Sequence, residues 1–313
     1  MPSGEDALLV SFRRFYPGFD PRSFWLPLLS KVMQREVQIS PQRKADVVIS
    51  SVFESRREMW KRRVLTRISS PQPPQHPQRM WQEQKLIWVT GENVRPPAKG
   101  FDMTISFDLD PYGGSNTYFP LIYQELDWSD CGVSRTAESI NPRTGLRRMN
   151  ASRCMEGRQG SVGGRPGFVC AFVGNSEPVR MRAIDELRRF GRVDVFGTAV
   201  GKPVSSKMEV ASNYRFMLCF ENDLYPGYVT EKPLEAYECG CVPLWRGTDY
   251  GEILNPDALI NAAEFPTLVE FAAHVANVDA QSSAMERLSQ GPLFSRTPTL
   301  EPLVEGLERL LKT

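Results

Sequence analysis

Histidine is almost missing from this sequence: His76 and His274 are the two among 313 residues. Neither has an acidic or thiol partner at a metal-ligand or triad spacing, which argues against histidine-centred chemistry. Cysteine is also sparse. The six, Cys131, Cys154, Cys170, Cys219, Cys239 and Cys241, form no paired Cys-x-x-Cys pattern, so mostly buried free thiols are expected rather than a zinc site or disulfide framework. Cys131 and Cys154 share one polar segment and would be the pair to join in an oxidising compartment. No window approaches the ~18 consecutive apolar residues of a membrane span. The opening residues carry acidic charge where a signal peptide is basic. A cytoplasmic protein without a transmembrane segment is the expectation, at most peripheral at a membrane. The formal net charge of +1 removes any whole-molecule attraction to nucleic acid or anionic lipid. Arg56, Arg57, Lys61, Arg62, Arg63 and Arg67 form only a local basic run, read as a solvated helix face.

With 41% hydrophobic and 24% charged residues, the composition is that of a globular protein, and the length suits two domains of roughly 150 residues. Short apolar runs alternate with helix-capable stretches in both halves, the pattern of α/β layers on mainly parallel sheets. Strands are predicted at Leu8–Phe12, Glu36–Ile39, Asp46–Ser50, Lys85–Val89 and Met103–Phe107. The prolines of Ser70–Gln78 make that stretch a loop. From Ser129 to Gly167 the chain is rich in Ser, Gly, Arg and Asn and lacks apolar periodicity, so it reads as a long excursion or link. The domains are therefore drawn as 1–165, including that excursion, and 166–313. The second half restarts with a strand at Phe168–Val173, a helical pattern to about Phe190 and a strand at Val193–Phe196. Leu300, Leu303, Leu307, Leu310 and Leu311 recur at helical spacing and predict a final amphipathic helix, one that can pack back on the first domain.

Residues 213–247 carry the densest chemistry. An apolar strand, Phe216–Phe220, runs into Glu221-Asn222, a turn with Pro226-Gly227, a helix starting near Thr230 and ending around Gly240, then a strand at Val242–Trp245. Ligands of parallel sheets bind beyond the carboxyl ends of strands, where loops meet helix N-termini. Gly227 lets backbone approach a ligand closely, and Lys232 offers a full charge to a diphosphate. Glu221 or Glu231 can accept from sugar hydroxyls. Each residue also has a plain reading: Lys232 and Glu231 as an exposed helix start, Tyr228 as a core aromatic, Asn222 as a turn former.

Taken whole, the string FENDLYPGYVTEK with Ala236, Gly240, Pro243 and Gly247 resembles the signature of the α1,3/α1,4-fucosyltransferase family, glycosyltransferase family 10. The segment Trp88-Val89-Thr90-Gly91-Glu92-Asn93 is similar to that family's (Y/W)xTGEN. The resemblance implies a GT-B fold, two Rossmann-like domains facing a cleft, with acceptor recognition in the first and GDP-fucose in the second. It implies donor-binding roles for Arg180, Asn222, Tyr228, Glu231 and Lys232, with Glu221, Arg182 and Gly227 beside them. Arg182 is the rival to Arg180 at the diphosphate. Glu92 becomes the base of an inverting transfer of L-fucose to an oligosaccharide hydroxyl, α1,3 or α1,4 on GlcNAc or Glc. A free glutamate titrates near about 4.3, and partial burial is expected to raise Glu92 towards roughly 6. The chain departs from the family at Arg246, where an aromatic is frequent, and in segment 129–167.

Asp108-Leu109-Asp110 mimics the DxD of metal-dependent glycosyltransferases, yet it lies far in sequence from the donor signature. No metal is assigned to it, and a divalent ion is expected to do no more than stimulate. Two other readings stand beside fucosyl transfer. One is a transferase using another GDP-hexose. The other is a sugar-nucleotide-binding protein without catalysis, in which Glu92 only caps a turn.

Overall fold

A computed structural model of the chain describes residues 7–16, 18–53, 78–97, 99–133, 140–141, 144–158, 160, 162–249 and 252–312. The basic run, nearly all of the proline-rich stretch and His76 lie outside the described residues. The chain divides into two compact units. The first comprises Met1–Phe119, Cys131–Thr136 and Leu300–Thr313, and the second Pro120–Asp130 and Ala137–Thr299.

The first unit is built on six parallel strands: β1 (Leu8–Arg13), β2 (Val37–Ile39), β3 (Val47–Ser50), β4 (Lys85–Val89), β5 (Met103–Ser106) and β6 (Asn116–Tyr118). Their order across the sheet is β2-β1-β3-β4-β5-β6. β3 and β5 are buried along their whole length, as strands covered on both faces must be, and this is why they read as unbroken apolar runs. Helix α1 (Trp25–Met33) buries Trp25, Leu28, Leu29 and Val32. The sequence direction reverses between β1 and β3, and loops from the two meet there: Ser51 N donates to Arg13 O at 3.0 Å and Phe53 N to Arg14 O at 3.0 Å.

The second unit has five parallel strands, β7 (Gly167–Phe172), β8 (Val193–Phe196), β9 (Tyr214–Leu218), β10 (Val242–Trp245) and β11 (Ile260–Asn261). Their order is β11-β10-β9-β7-β8. Helices α2 (Pro178–Leu187), α3 (Lys207–Ala211), α4 (Lys232–Glu238), α5 (Leu268–Asp279) and α6 (Ser282–Gln290) join them. Val169, Ala171, Ile184, Leu187, Phe216, Leu218, Leu244, Phe271 and Val275 lie in one buried cluster. The chain passes from β7 to β8 on one side and then crosses back to β9 on the other side of β7, so the switch point of this sheet falls between β7 and β9. In parallel sheets that is where a crevice opens at the carboxyl ends.

The division differs from a single cut after residue 165 at the last helix, in the polar excursion and at Pro120–Asp130, which belongs to the second unit. The last helix, α7 (Glu301–Leu311), buries Leu303 and Leu307 and belongs to the first unit. There Gly306 faces Thr117 and Met103 so closely that a Cβ would sit 2.6 Å from Thr117 Oγ1. Most of the polar excursion belongs instead to the second unit, because its arginines satisfy backbone carbonyls there. Arg158 donates to Tyr237 O at 2.8 Å, Cys241 O at 3.1 Å and Ser289 O at 2.9 Å. Arg165 donates to Tyr214 O at 3.1 Å and Cys239 O at 3.3 Å. Several of these carbonyls end α4, where a cation also meets the negative end of the helix dipole. All six cysteines are free thiols, five of them buried.

Candidate active site

The switch point of the second sheet is tied together by one buried cation. Arg180, near the start of α2, is 7% exposed. It donates to Asn175 O at 2.8 Å in the loop after β7, and to Phe220 O at 2.9 Å and Asn222 Oδ1 at 3.1 Å in the loop after β9. Three of the five N–H donors of a guanidinium are thus committed to protein acceptors among the described residues. Burial lowers its pKa, opposed by Glu177 and Glu221. An arginine starts from so high a value that it stays charged.

The loop after β9 then folds over a second charge pair. Glu221 has a side chain at 0% exposure. Its Oε1 accepts from Thr230 N at 2.9 Å, Thr230 Oγ1 at 3.0 Å and Trp245 Nε1 at 3.2 Å. Its Oε2 accepts from Lys232 Nζ at 2.9 Å, and Lys232 also donates to Thr230 Oγ1 at 2.9 Å. Burial pulls the Lys232 pKa down, but the carboxylates of Glu221 and Glu231 more than offset this, and the net shift is upward. Its ammonium is therefore fixed and charged, on a side chain that is 22% exposed. Glu231 is 30% exposed, with Oε1 3.9 Å from Lys232 Nζ.

The residues expected at the donor therefore separate into two layers. Arg180, Asn222, Glu231 and Lys232 surround the carboxyl end of β9. Glu221 and Tyr228, expected at the ligand, lie beneath it: Tyr228 is 1% exposed and Glu221 is saturated by groups of the chain itself. Gly227 is buried at φ +77°, and its N–H donates to Thr248 O at 3.0 Å. A left-handed residue at that point is what turns the loop back over Glu221. Arg182, exposed, lines a hollow of about 650 Å³ with Arg246, Leu224, Phe265 and Leu268. Burial lowers the Arg246 pKa, and Arg182 adds repulsion. The sequence singled out neither Thr230 nor Trp245, whose donors become visible as a pattern only once Glu221 is known to be buried.

In the first unit Glu92 sits in a turn just beyond β4. Thr90 Oγ1 donates to Glu92 O at 2.7 Å and Val94 O at 3.1 Å. The partial burial expected of Glu92 is absent: it is exposed, because the turn leaves the sheet at its rim. Asp108 and Asp110 are spent on their own loop. Asp108 Oδ1 accepts from Asp110 N at 3.2 Å, and Asp110 Oδ1 from Tyr112 N at 2.7 Å. Among the described residues no group of three or more His, Cys, Asp or Glu is placed to hold a metal ion.

Residues 163–289, essentially the sheet and helices around Arg180 and Lys232, match the model of the glycosyltransferase family 10 (fucosyltransferase) C-terminal domain. Over those residues, about two fifths of the chain, it is similar to glycosyltransferase family 10. Among the proteins it is similar to is the α-(1,3)-fucosyltransferase FucT of Helicobacter pylori, 27% identical over 237 residues, covering 68% of this chain and 48% of that one. Another is the human 3-galactosyl-N-acetylglucosaminide 4-α-L-fucosyltransferase FUT3, 35% identical over 119 residues, which are 36% of this chain and 33% of the human one. The chain thus matches about half of the bacterial protein's length and a third of the human one's. A crystal structure of an α1,3-fucosyltransferase with GDP-fucose superposes with a TM-score of 0.69 at 20% identity, over 100% of this chain and 93% of that one. The fold of this chain is accordingly of the GT-B type, two parallel-sheet α/β units. Among its described residues no helix is long and apolar enough to cross a membrane.

Proposed function

We propose that this protein transfers L-fucose from GDP-fucose to a hydroxyl of an oligosaccharide, α1,3 or α1,4 on GlcNAc or Glc, with inversion. The observation that carries the reading is the pair of fixed cations, Arg180 and Lys232, at the switch point of a family 10 donor-type domain. Departure of GDP concentrates negative charge on the diphosphate, and preorganised cationic donors stabilise that charge without reorganising. Glu231, partly exposed beside Lys232, accepts from hydroxyls of the nucleotide sugar, and Asn222 supplies a neutral contact. The hollow edged by Arg182 and Arg246 receives the nucleoside. Glu92 takes the proton of the acceptor hydroxyl as its oxygen attacks the anomeric carbon opposite the leaving GDP, and a β-linked donor becomes an α-linked product.

No metal belongs to this reading, since Arg180 and Lys232 supply the compensation that an ion supplies elsewhere, and Asp108 is paired with Arg95. A cytoplasmic setting goes with it, supported by six free cysteines. The test is a transfer assay with GDP-fucose and GDP-mannose against lactose, N-acetyllactosamine and the isomeric type 1 disaccharide. Fucose transfer to at least one supports the reading. Turnover of GDP-mannose alone points to another GDP-hexose, and GDP binding without any turnover points to a binding protein.

A further inference from the structure

The turn that presents Glu92 is braced from two sides. The backbone side belongs to Thr90, 1% exposed, whose hydroxyl holds Glu92 O and Val94 O, and to Gly91, where a Cβ would sit 2.9 Å from the Phe53 ring. The side-chain side runs from Asn93 to the β5–β6 loop. Asn93 Oδ1 accepts from Arg95 Nη2 at 2.8 Å, and Arg95 Nε lies 3.9 Å from Asp108 Oδ2. The same guanidinium lies over the Phe107 ring, 5.0 Å from its centroid. Asp108 is 5% exposed and takes the Tyr112 hydroxyl on Oδ2 at 2.7 Å. A carboxylate so enclosed needs a cation as well as hydrogen bonds. Arg95 supplies the charge and, being forked, reaches Asn93 with its other arm.

From this arrangement we infer that Asp108 and Arg95 are positioning residues for Glu92: a buried aspartate anchors an arginine, and the arginine fixes the turn one residue past the base. A sequence that looks like a metal-binding Asp-x-Asp is thus used to aim a carboxylate. The inference rests on the reading of Glu92 as base. Misplacement of a reacting group by about 1 Å can cost about a hundredfold in rate.

The experiment is a cycle of Glu92→Gln, Arg95→Met and the double variant, assayed with GDP-fucose and N-acetyllactosamine, with GDP affinity measured by calorimetry. Arg95→Met should lower kcat about ten- to a hundredfold with donor KM and GDP affinity unchanged, and the double variant should be no slower than Glu92→Gln alone. Arg95→Lys, which keeps the charge beside Asp108, should recover part of the loss. Asn93→Ala, which removes the link without touching the enclosed aspartate, should reproduce the kcat effect in a folded protein. If Arg95→Met slows the Glu92→Gln background by its full single-variant factor, or if Arg95→Met and Asn93→Ala both leave kcat unchanged, the positioning role is refuted while Glu92 stays the base. Near-normal turnover by Glu92→Gln itself removes the base assignment, and the positioning role falls with it.

Discussion

At the scale of single residues, the decisive feature is that Lys232 is held by Glu221 before any ligand arrives. The fully enclosed carboxylate accepts from Thr230, Trp245 and Lys232, so removing the lysine strands a buried charge. Breaking such a pair typically costs about 3–5 kcal/mol, and the part exposure of Lys232 places Lys232→Met at the low end or below. The double variant Glu221→Gln/Lys232→Met should recover most of this stability in a denaturant titration. It should not recover GDP affinity by calorimetry, because the cation is still missing. Full GDP affinity in the double variant would show that Lys232 serves the fold alone. Arg180→Met should likewise weaken GDP binding, and it should also loosen the loops after β7 and β9 that the guanidinium joins. Hydrogen exchange over 173–177 and 219–224 would register that loosening.

At the scale of elements, a pH dependence is built into the end of α4. Burial raises the Glu238 pKa to about 7, against hydrogen bonds from Met149 N and Asn141 Nδ2 that favour the charged form. A folded-state pKa above the unfolded one means that the group's contribution to stability is full below about pH 4.5 and is lost as pH rises through about 7. The loss is on the order of 2–3 kcal/mol. Glu238→Gln should therefore flatten the stability profile between those limits, measured as urea midpoints at several pH values. An unchanged slope would place the titration elsewhere. Asn141 and Met149, which Glu238 holds, lie where sequence reading runs out. Nine of the eleven strands among the described residues were legible to within two residues at each end, most of them as apolar runs, whereas the short β6 and β11 carry no such run and were not. The limits that moved did so through polar contacts that carry no periodicity. β9 ends at Leu218 rather than Phe220 as Arg180 takes the Phe220 carbonyl. Similarly, α4 begins at Lys232 rather than near Thr230, whose N–H and hydroxyl both bond Glu221.

At the scale of the whole molecule, the resemblance to the family was legible because the signature is a contiguous string whose residues meet at one loop. Division into units was less so. Arg158 and Arg165 join the excursion to the second unit through backbone carbonyls, and no side-chain pattern advertises a carbonyl. The acidic pair at Asp108 and Asp110 belongs to the same class of signal, for its meaning depends on Arg95 and Tyr112 lying against it. Transfer should therefore proceed in excess chelator at a rate within about twofold of that with magnesium, divalent ions acting at most on released GDP. Complete and reversible loss of activity in chelator would assign the charge compensation to a metal after all.

One measurement bears on the central claim most directly: the anomeric configuration of the product made from GDP-fucose and N-acetyllactosamine, read from its proton coupling constants by NMR, with wild type and Glu92→Gln run side by side. An inverting transfer that uses Glu92 as base predicts an α-linked fucose from the wild type and a rate lower by about a hundredfold or more in the variant, at unchanged GDP affinity. A β-linked product, or a variant that turns over at the wild-type rate, would contradict it.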